Sequence, residues 1–309
     1  MFDLILEIRR DDGAVLVADG RRWAVPVEGG LEGFGGVSYD VPVREYSQYD
    51  GGRYSAERTP AQERSVTMHG RFDPAEARDE AMGFFIPHRE YTVRCTHLGR
   101  TRHFTGRQLA LEVETGSPYA RTVVKWTCLC AQPFWFSEEA HSYDIAEAAA
   151  RRGFPFASPT ERWAPSPVMD MAMHQAAKGH VAGFVAGTIS NATRLVNRGH
   201  VPTYPRIDVT CSKGTVVDPT VRVLDASGGT AMSVTVKTTM TDGDALLLDF
   251  TARPTRIELN GRNISHLAVP GSTLAASIGV GAYTVEWSAK SGDAAMRVVP
   301  SIEERYTGI

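Results

Sequence analysis

The sequence predicts a mainly β chain of two domains. An N-terminal β-barrel-like domain with one helix covers 1–137, and a connector (138–180) leads into a C-terminal β-sandwich or jelly roll ending at 309. Short runs rich in Val, Thr, Tyr and Leu alternate apolar and polar residues along most of the chain. Gly-rich turns cut these runs apart. The β texture breaks once, after residue 137, and strands return near 181.

In chain order, "FDLILEI", "AVLVAD" and "RRWAVPV" open the first domain, followed by the turns "VEGGLEGFGG" and "YDGGRY" and the strand "RSVTMHGRF". "DPAEARDEAMGFF" is the one convincing helix there. Asp73 serves as N-cap, and Pro74 takes the first helical position, where a missing N–H costs nothing. Ala77, Ala81, Phe84 and Phe85 form its apolar stripe. "EYTVRCTHL", "RQLALEVET" and "RTVVKWTCLC" complete the domain, with "HLGRTR" and "ETGSPYA" as turns. In "CLCAQPFWF", Pro133 has no N–H to donate and ends the ladder, which places Phe134, Trp135 and Phe136 at the domain boundary.

Pro155, Pro159, Pro165 and Pro167 mark the connector as a helical turn with irregular chain. Strands then recur at sandwich spacing: "GFVAGTIS", "TRLVNRG", "YPRIDVTC", "TVRVLDA", "MSVTVKT", "ALLLDF", "TRIELNG", "YTVEWSA" and "AMRVVPSI". Asn260-Gly261 supplies the positive φ of a tight turn, and Pro270-Gly271 a chain reversal.

The composition, 42% hydrophobic and 22% charged over 309 residues, is that of a globular protein. The net charge of −3 is spread evenly, with 17 basic and 19 acidic residues in 1–137 and 16 and 17 in 138–309. A nucleic-acid binder would concentrate basic charge. No apolar run approaches the ~20 residues that span a bilayer, and no signal peptide is recognisable, so no membrane insertion is expected. Four cysteines are too few for a disulfide scaffold and fit a reducing compartment.

Alternation puts Cys95 and His97 on one face of one strand, and Cys128 and Cys130 on one face of another. Were those strands paired, the four could surround a zinc ion. The plainer reading is that the cysteines are small buried hydrophobes, since C-x-C on a straight strand cannot wrap a metal. Arg89, Arg94, Arg100, Arg102 and Arg107, interleaved with Tyr91 and Phe104, could form a phosphate-binding surface or, more plainly, a solvated hairpin rim or a subunit interface. Asp242, Asp244 and Asp249 lack the calcium-loop ladder and read as a turn, with Asp249 placed to accept from a neighbouring turn's N–H groups. Trp135, Trp163 and Trp287 are either sugar-stacking platforms or core residues. No H-E-x-x-H, G-x-S-x-G or P-loop occurs. No catalytic, cofactor-binding or metal residue is assigned, and no cofactor is expected.

Separated segments jointly resemble the distal tail proteins of long, non-contractile-tailed phages. They are "WTCLCAQPFWFS", "NRGHVPTYPRIDVTC" and "DALLLDFTARPTRIELNGRNISHLAVPGSTLAASIGVGAYTVEWSA", then "RVVPSIEERYTGI" at the end, with "RSVTMHGRFDPAEARDEAMGFFIPHREYTVR" in the first domain. The resemblance implies a structural virion protein of the tail tip, assembled in the host cytoplasm, and not an enzyme. Residues 1–137 would form a homohexameric ring continuing the tail tube, and 138–309 a galectin-like sandwich including the final strand to Ile309. Implied partners are the tail-tube protein on one side and the tail-tip, tail-associated lysin and receptor-binding proteins on the other. DNA would only pass through the lumen. The alternative is a carbohydrate-binding tail protein contributing to host-surface adsorption.

Overall fold

Alternation along the sequence becomes alternation of burial. The computed structural model describes residues 4–45, 52–54, 59–114, 121–143, 191–212, 214–252 and 254–309. It divides into a unit of Met1–Glu139 with Arg305–Ile309 and a unit of Ala140–Glu304.

The first unit contains β1 (Ile5–Arg10), β2 (Val15–Ala18), β3 (Trp23–Ala24) and β4 (Leu31–Glu32), then a separate ribbon of β5 (Val43–Glu45) and β6 (Gly52–Tyr54). There follow β7 (Gln62–Gly70), α1 (Pro74–Phe84), β8 (Glu90–His97), β9 (Arg100–Glu114), β10 (Val123–Cys130) and β11 (Trp135–Ser137). The main antiparallel path runs β2-β1-β8-β9-β10-β7-β3, with β4 beside β7. Its end strands, β2 and β3, are consecutive in the chain and joined by a tight turn. The sheet therefore curls into a nearly closed barrel. Leu6, Ile8, Val66, Met68, Tyr91, Val93, Phe104, Val124 and Trp126 fill it and are fully buried. Each such side chain contributes about 1.5–3 kcal/mol of burial free energy.

The helix forms as its signals require. The Asp73 carboxylate accepts from the N–H groups of Ala75 (2.9 Å) and Glu76 (3.2 Å), and Ala77, Ala81 and Phe84 are buried. It lies close on β7: a Cβ at Gly70 would stand 2.8 Å from that of Ala77. Arg10 Nη1 donates to the carbonyls of Gly83 (3.0 Å) and Phe84 (2.7 Å), satisfying the helix C-terminus. The sequence starts the next long strand at Arg107, whereas β9 begins at Arg100. Leu98 (φ 50°) and Gly99 (φ 73°) alone make the turn, so the whole of "RTRHFTG" is ladder.

The second unit comprises β12 (His141–Ser142), β13 (Ala192–Asn197), β14 (Pro205–Cys211), β15 (Thr215–Val217), β16 (Thr220–Leu224) and β17 (Thr230–Thr235). After these come β18 (Thr239–Thr241), β19 (Ala245–Asp249), β20 (Arg256–Leu259), β21 (Arg262–Asn263), β22 (Gly281–Ser288) and β23 (Met296–Ile302). One sheet is ordered β12-β23-β14-β19-β20-β21 and another β13-β22-β16-β17, with β15 and β18 paired apart. Ile207, Val209, Leu246, Leu248, Ile257 and Val298 of the first sheet share one core with Leu195, Val221, Val223, Met232, Val234 and Val285 of the second, which makes the unit a sandwich. Asn260 (φ 50°) and Gly261 (φ 77°) make the expected tight turn, and Gly271 (φ 92°) the reversal.

One expectation is corrected. The last strand, β24 (Arg305–Tyr306), pairs with β11 and belongs to the first unit, not to the sandwich. A two-residue strand has too little pattern to announce its partner. Most of the connector, the strand expected at "GFVAGTIS", and Trp163 lie outside the described residues.

Candidate assembly surface

The Cys/His set does not assemble. β9 lies between β8 and β10, and Cys95 faces Arg102 on it. Among the described residues no group of three His, Cys, Asp or Glu side chains could hold a metal. Cys95, Cys128, Cys130 and Cys211 are free and buried. Burial pushes the Cys95 thiol up to about 12, and a hydrogen bond to Cys130, together with burial, raises that of Cys128.

Sequence reading passed over Arg64, which is fully buried. Its guanidinium carbon lies 4.3 Å from the Phe104 ring centroid and 4.6 Å from that of Trp135, and its Nη2 donates to the Pro133 carbonyl at 2.5 Å. "AQPFWF" is thus one side of a cage around a buried cation. A signal was available. Stepping back by twos from the core residues Met68 and Val66 lands on Arg64.

Four of the five arginines of 88–107, Arg89, Arg94, Arg102 and Arg107, are matched by the first unit's own groups. Arg89 lies 3.2 Å from Asp11, Arg94 pairs with Glu7 (3.7 Å) and Glu138, and Arg107 lies 3.7 Å from Glu90. Arg102 is buried over Tyr306. Tyr91 and Phe104 are fully buried and offer no stacking face. Trp135 and Trp287 are also core residues. Asp244 accepts from Thr241 N–H (2.6 Å) and Asn260 Nδ2 (2.7 Å), and Asp249 from Thr251 N–H (2.9 Å), so both serve turns.

In the second unit, buried Asn197 pins the loop after β13. Its Nδ2 donates to the carbonyls of Val201 (3.2 Å), Ile278 (3.4 Å) and Gly279 (3.0 Å), while its Oδ1 accepts from Gly199 N–H (2.9 Å). Buried Glu304 accepts from Arg198 N–H at 3.0 Å. The Asn-x-Gly motif is therefore a fold lock.

What remains for function is surface. On the first unit Ile5, Val15 and Val17 are exposed on β1 and β2, and Val43 and Tyr54 on the β5–β6 ribbon. A cavity of about 710 Å³ is lined by Leu4, Ala18, Val25, Leu31, Arg71 and His97 among others. Exposed apolar strands and ribbons are suited to binding other chains.

No protein-family model matches the chain, and no curated protein does. Solved structures do. The SPP1 Dit protein, described as a paradigm of the hub adsorption apparatus in phages infecting Gram-positive bacteria, matches with a TM-score of 0.62 at 15% identity, over 97% of this chain and 98% of that one. A chain of the phage P2 baseplate in its activated conformation with calcium matches with a TM-score of 0.53 at 11% identity, over 99% of both chains. The strontium form gives 0.51 at 10%. In its fold, over nearly its whole length and through both units, the chain is similar to the phage tail-hub protein Dit and to the phage P2 baseplate.

Proposed function

We propose that the chain is a structural protein of a phage tail hub. Six copies form a ring through the first unit, and the ring joins the tube of a long non-contractile tail to the tail tip or baseplate. The observation that carries this reading is the end-to-end match of both units, in order, to a hub protein and a baseplate chain. Partners are then further copies of the chain, the tail-tube protein, and the tail-tip, tail-associated lysin and receptor-binding proteins. DNA passes only through the lumen. A closed ring requires one face of each copy to meet a different face of the next. The separate exposed regions of the first unit supply candidates for those two faces.

Among the described residues of the second unit, Trp287 is buried in the sandwich core and offers no stacking face for a sugar. Negative-stain microscopy and mass photometry of the purified chain test the ring directly. A hexameric ring is expected. A chain that stays monomeric at high concentration, and does not assemble with tail-tube subunits, contradicts the proposal.

A further inference from the structure

The β5–β6 ribbon carries a charge arrangement that disfavours it in isolation. Arg44 and Arg53 stand directly opposite one another in its register, both exposed. Like charges at directly opposed positions destabilise a strand pair. A two-stranded ribbon outside any larger sheet is marginal even without that penalty. Neither arginine has an ion-pair partner among the described residues, whereas Arg9, Arg10, Arg22, Arg89, Arg94 and Arg107 of the first unit are matched by acids of the same unit. The ribbon therefore presents two exposed guanidiniums with no anionic complement among the described residues.

The first unit also carries the matching acidic element. The far half of β9 extends with Glu112 and Glu114 two positions apart on one face, both exposed. The residue opposite Glu114 is Val123, which offers no charge. Lys125, opposite Glu112, lies 3.4 Å from Glu32. Two carboxylates about 7 Å apart along a strand suit two guanidiniums about 5 Å apart across a ribbon.

We propose that Arg44 and Arg53 of one copy dock on Glu112 and Glu114 of the neighbouring copy. This rests on the ring reading and names one of its contacts. The two elements are different segments of the chain, so the contact is head-to-tail, as a ring needs.

Charge reversal tests it in the full chain. Arg44→Glu/Arg53→Glu and Glu112→Lys/Glu114→Lys are each expected to stay monomeric at concentrations where the wild type assembles, with the assembly midpoint raised at least tenfold. Arg44→Glu/Arg53→Glu should keep the wild-type melting temperature, because both positions are exposed and the opposed pair stays like-charged, whereas Glu112→Lys sets a lysine opposite Lys125 and should lower it slightly without unfolding the chain. An equimolar mixture of the two variants should assemble again, since alternating copies restore opposite charges at every contact. Either variant assembling like the wild type, or a mixture that stays monomeric, overturns the docking while leaving the ring intact. A wild type that forms no oligomer overturns both.

Discussion

The guanidinium carbon of Arg102, in β9, lies 3.8 Å from the centroid of the Tyr306 ring, and its Nη1 donates to the carbonyl of Gly308. The chain's last residues are thereby stitched into the first unit, beside the loop at Gly35. A Cβ on Gly308 would come within 2.9 Å of the Gly35 carbonyl oxygen.

Arg102→Ala is accordingly expected to destabilise the first unit by about 2–4 kcal/mol, from the lost cation–π contact and an orphaned carbonyl. Denaturant unfolding of the full chain, followed through the buried tryptophans Trp23, Trp126 and Trp135, reads this out. A variant with the wild-type midpoint would show that residues 305–309 contribute little.

Arg64 separates two energetic accounts of a buried cation. Arg64→Ala leaves a cavity between Phe104 and Trp135 and is expected to cost about 2–4 kcal/mol. Arg64→Met fills the same space without a charge to desolvate, and should fall within about 1 kcal/mol of the wild type or exceed it. A methionine variant as unstable as the alanine one would mean that the guanidinium's own contacts dominate.

Asn197→Ala removes a donor shared among three carbonyls and an acceptor for Gly199 N–H. The expected loss is about 2–4 kcal/mol, because buried backbone groups are left unpaired. Asn197→Asp should be comparably harmful, since a carboxylate cannot donate to those carbonyls. Thermal melts compare the two.

Acid should weaken the protein between pH 4 and 2. A hydrogen bond from Arg10, aided by the Ala14 N–H, lowers the Asp12 carboxyl from 3.8 to about 2. The Thr241 N–H and Asn260 likewise depress Asp244. Carboxylates with depressed folded-state values contribute stability above the ordinary value and lose it as the pH falls through the depressed one. Urea midpoints should therefore drop over that window, and Asp12→Asn should drop less.

The four cysteines should not react in the native state. At pH 8 a thiol reagent should modify none within minutes and all four after denaturation, because each is buried and Cys95 is pushed up to about 12. Rapid native modification would show that the strands open.

The sequence by itself determined most of the longer described strands, where helix α1 starts, and where the Asn260-Gly261 turn falls. These depend on alternation, capping and positive φ, all local properties of neighbouring residues. Asp73, Pro74 and Asn260-Gly261 take the expected places for that reason. Tertiary structure decided what local pattern cannot carry. Alternation says that Cys95 and Cys128 face inward but not which strand lies between them, and β9 intervenes. It put Arg64 on the core face without revealing the Phe104–Trp135 cage that makes burial tolerable. It left the destination of Arg305–Ile309 open, because strand partners far apart in sequence are chosen by packing and hydrogen-bond satisfaction in the folded chain.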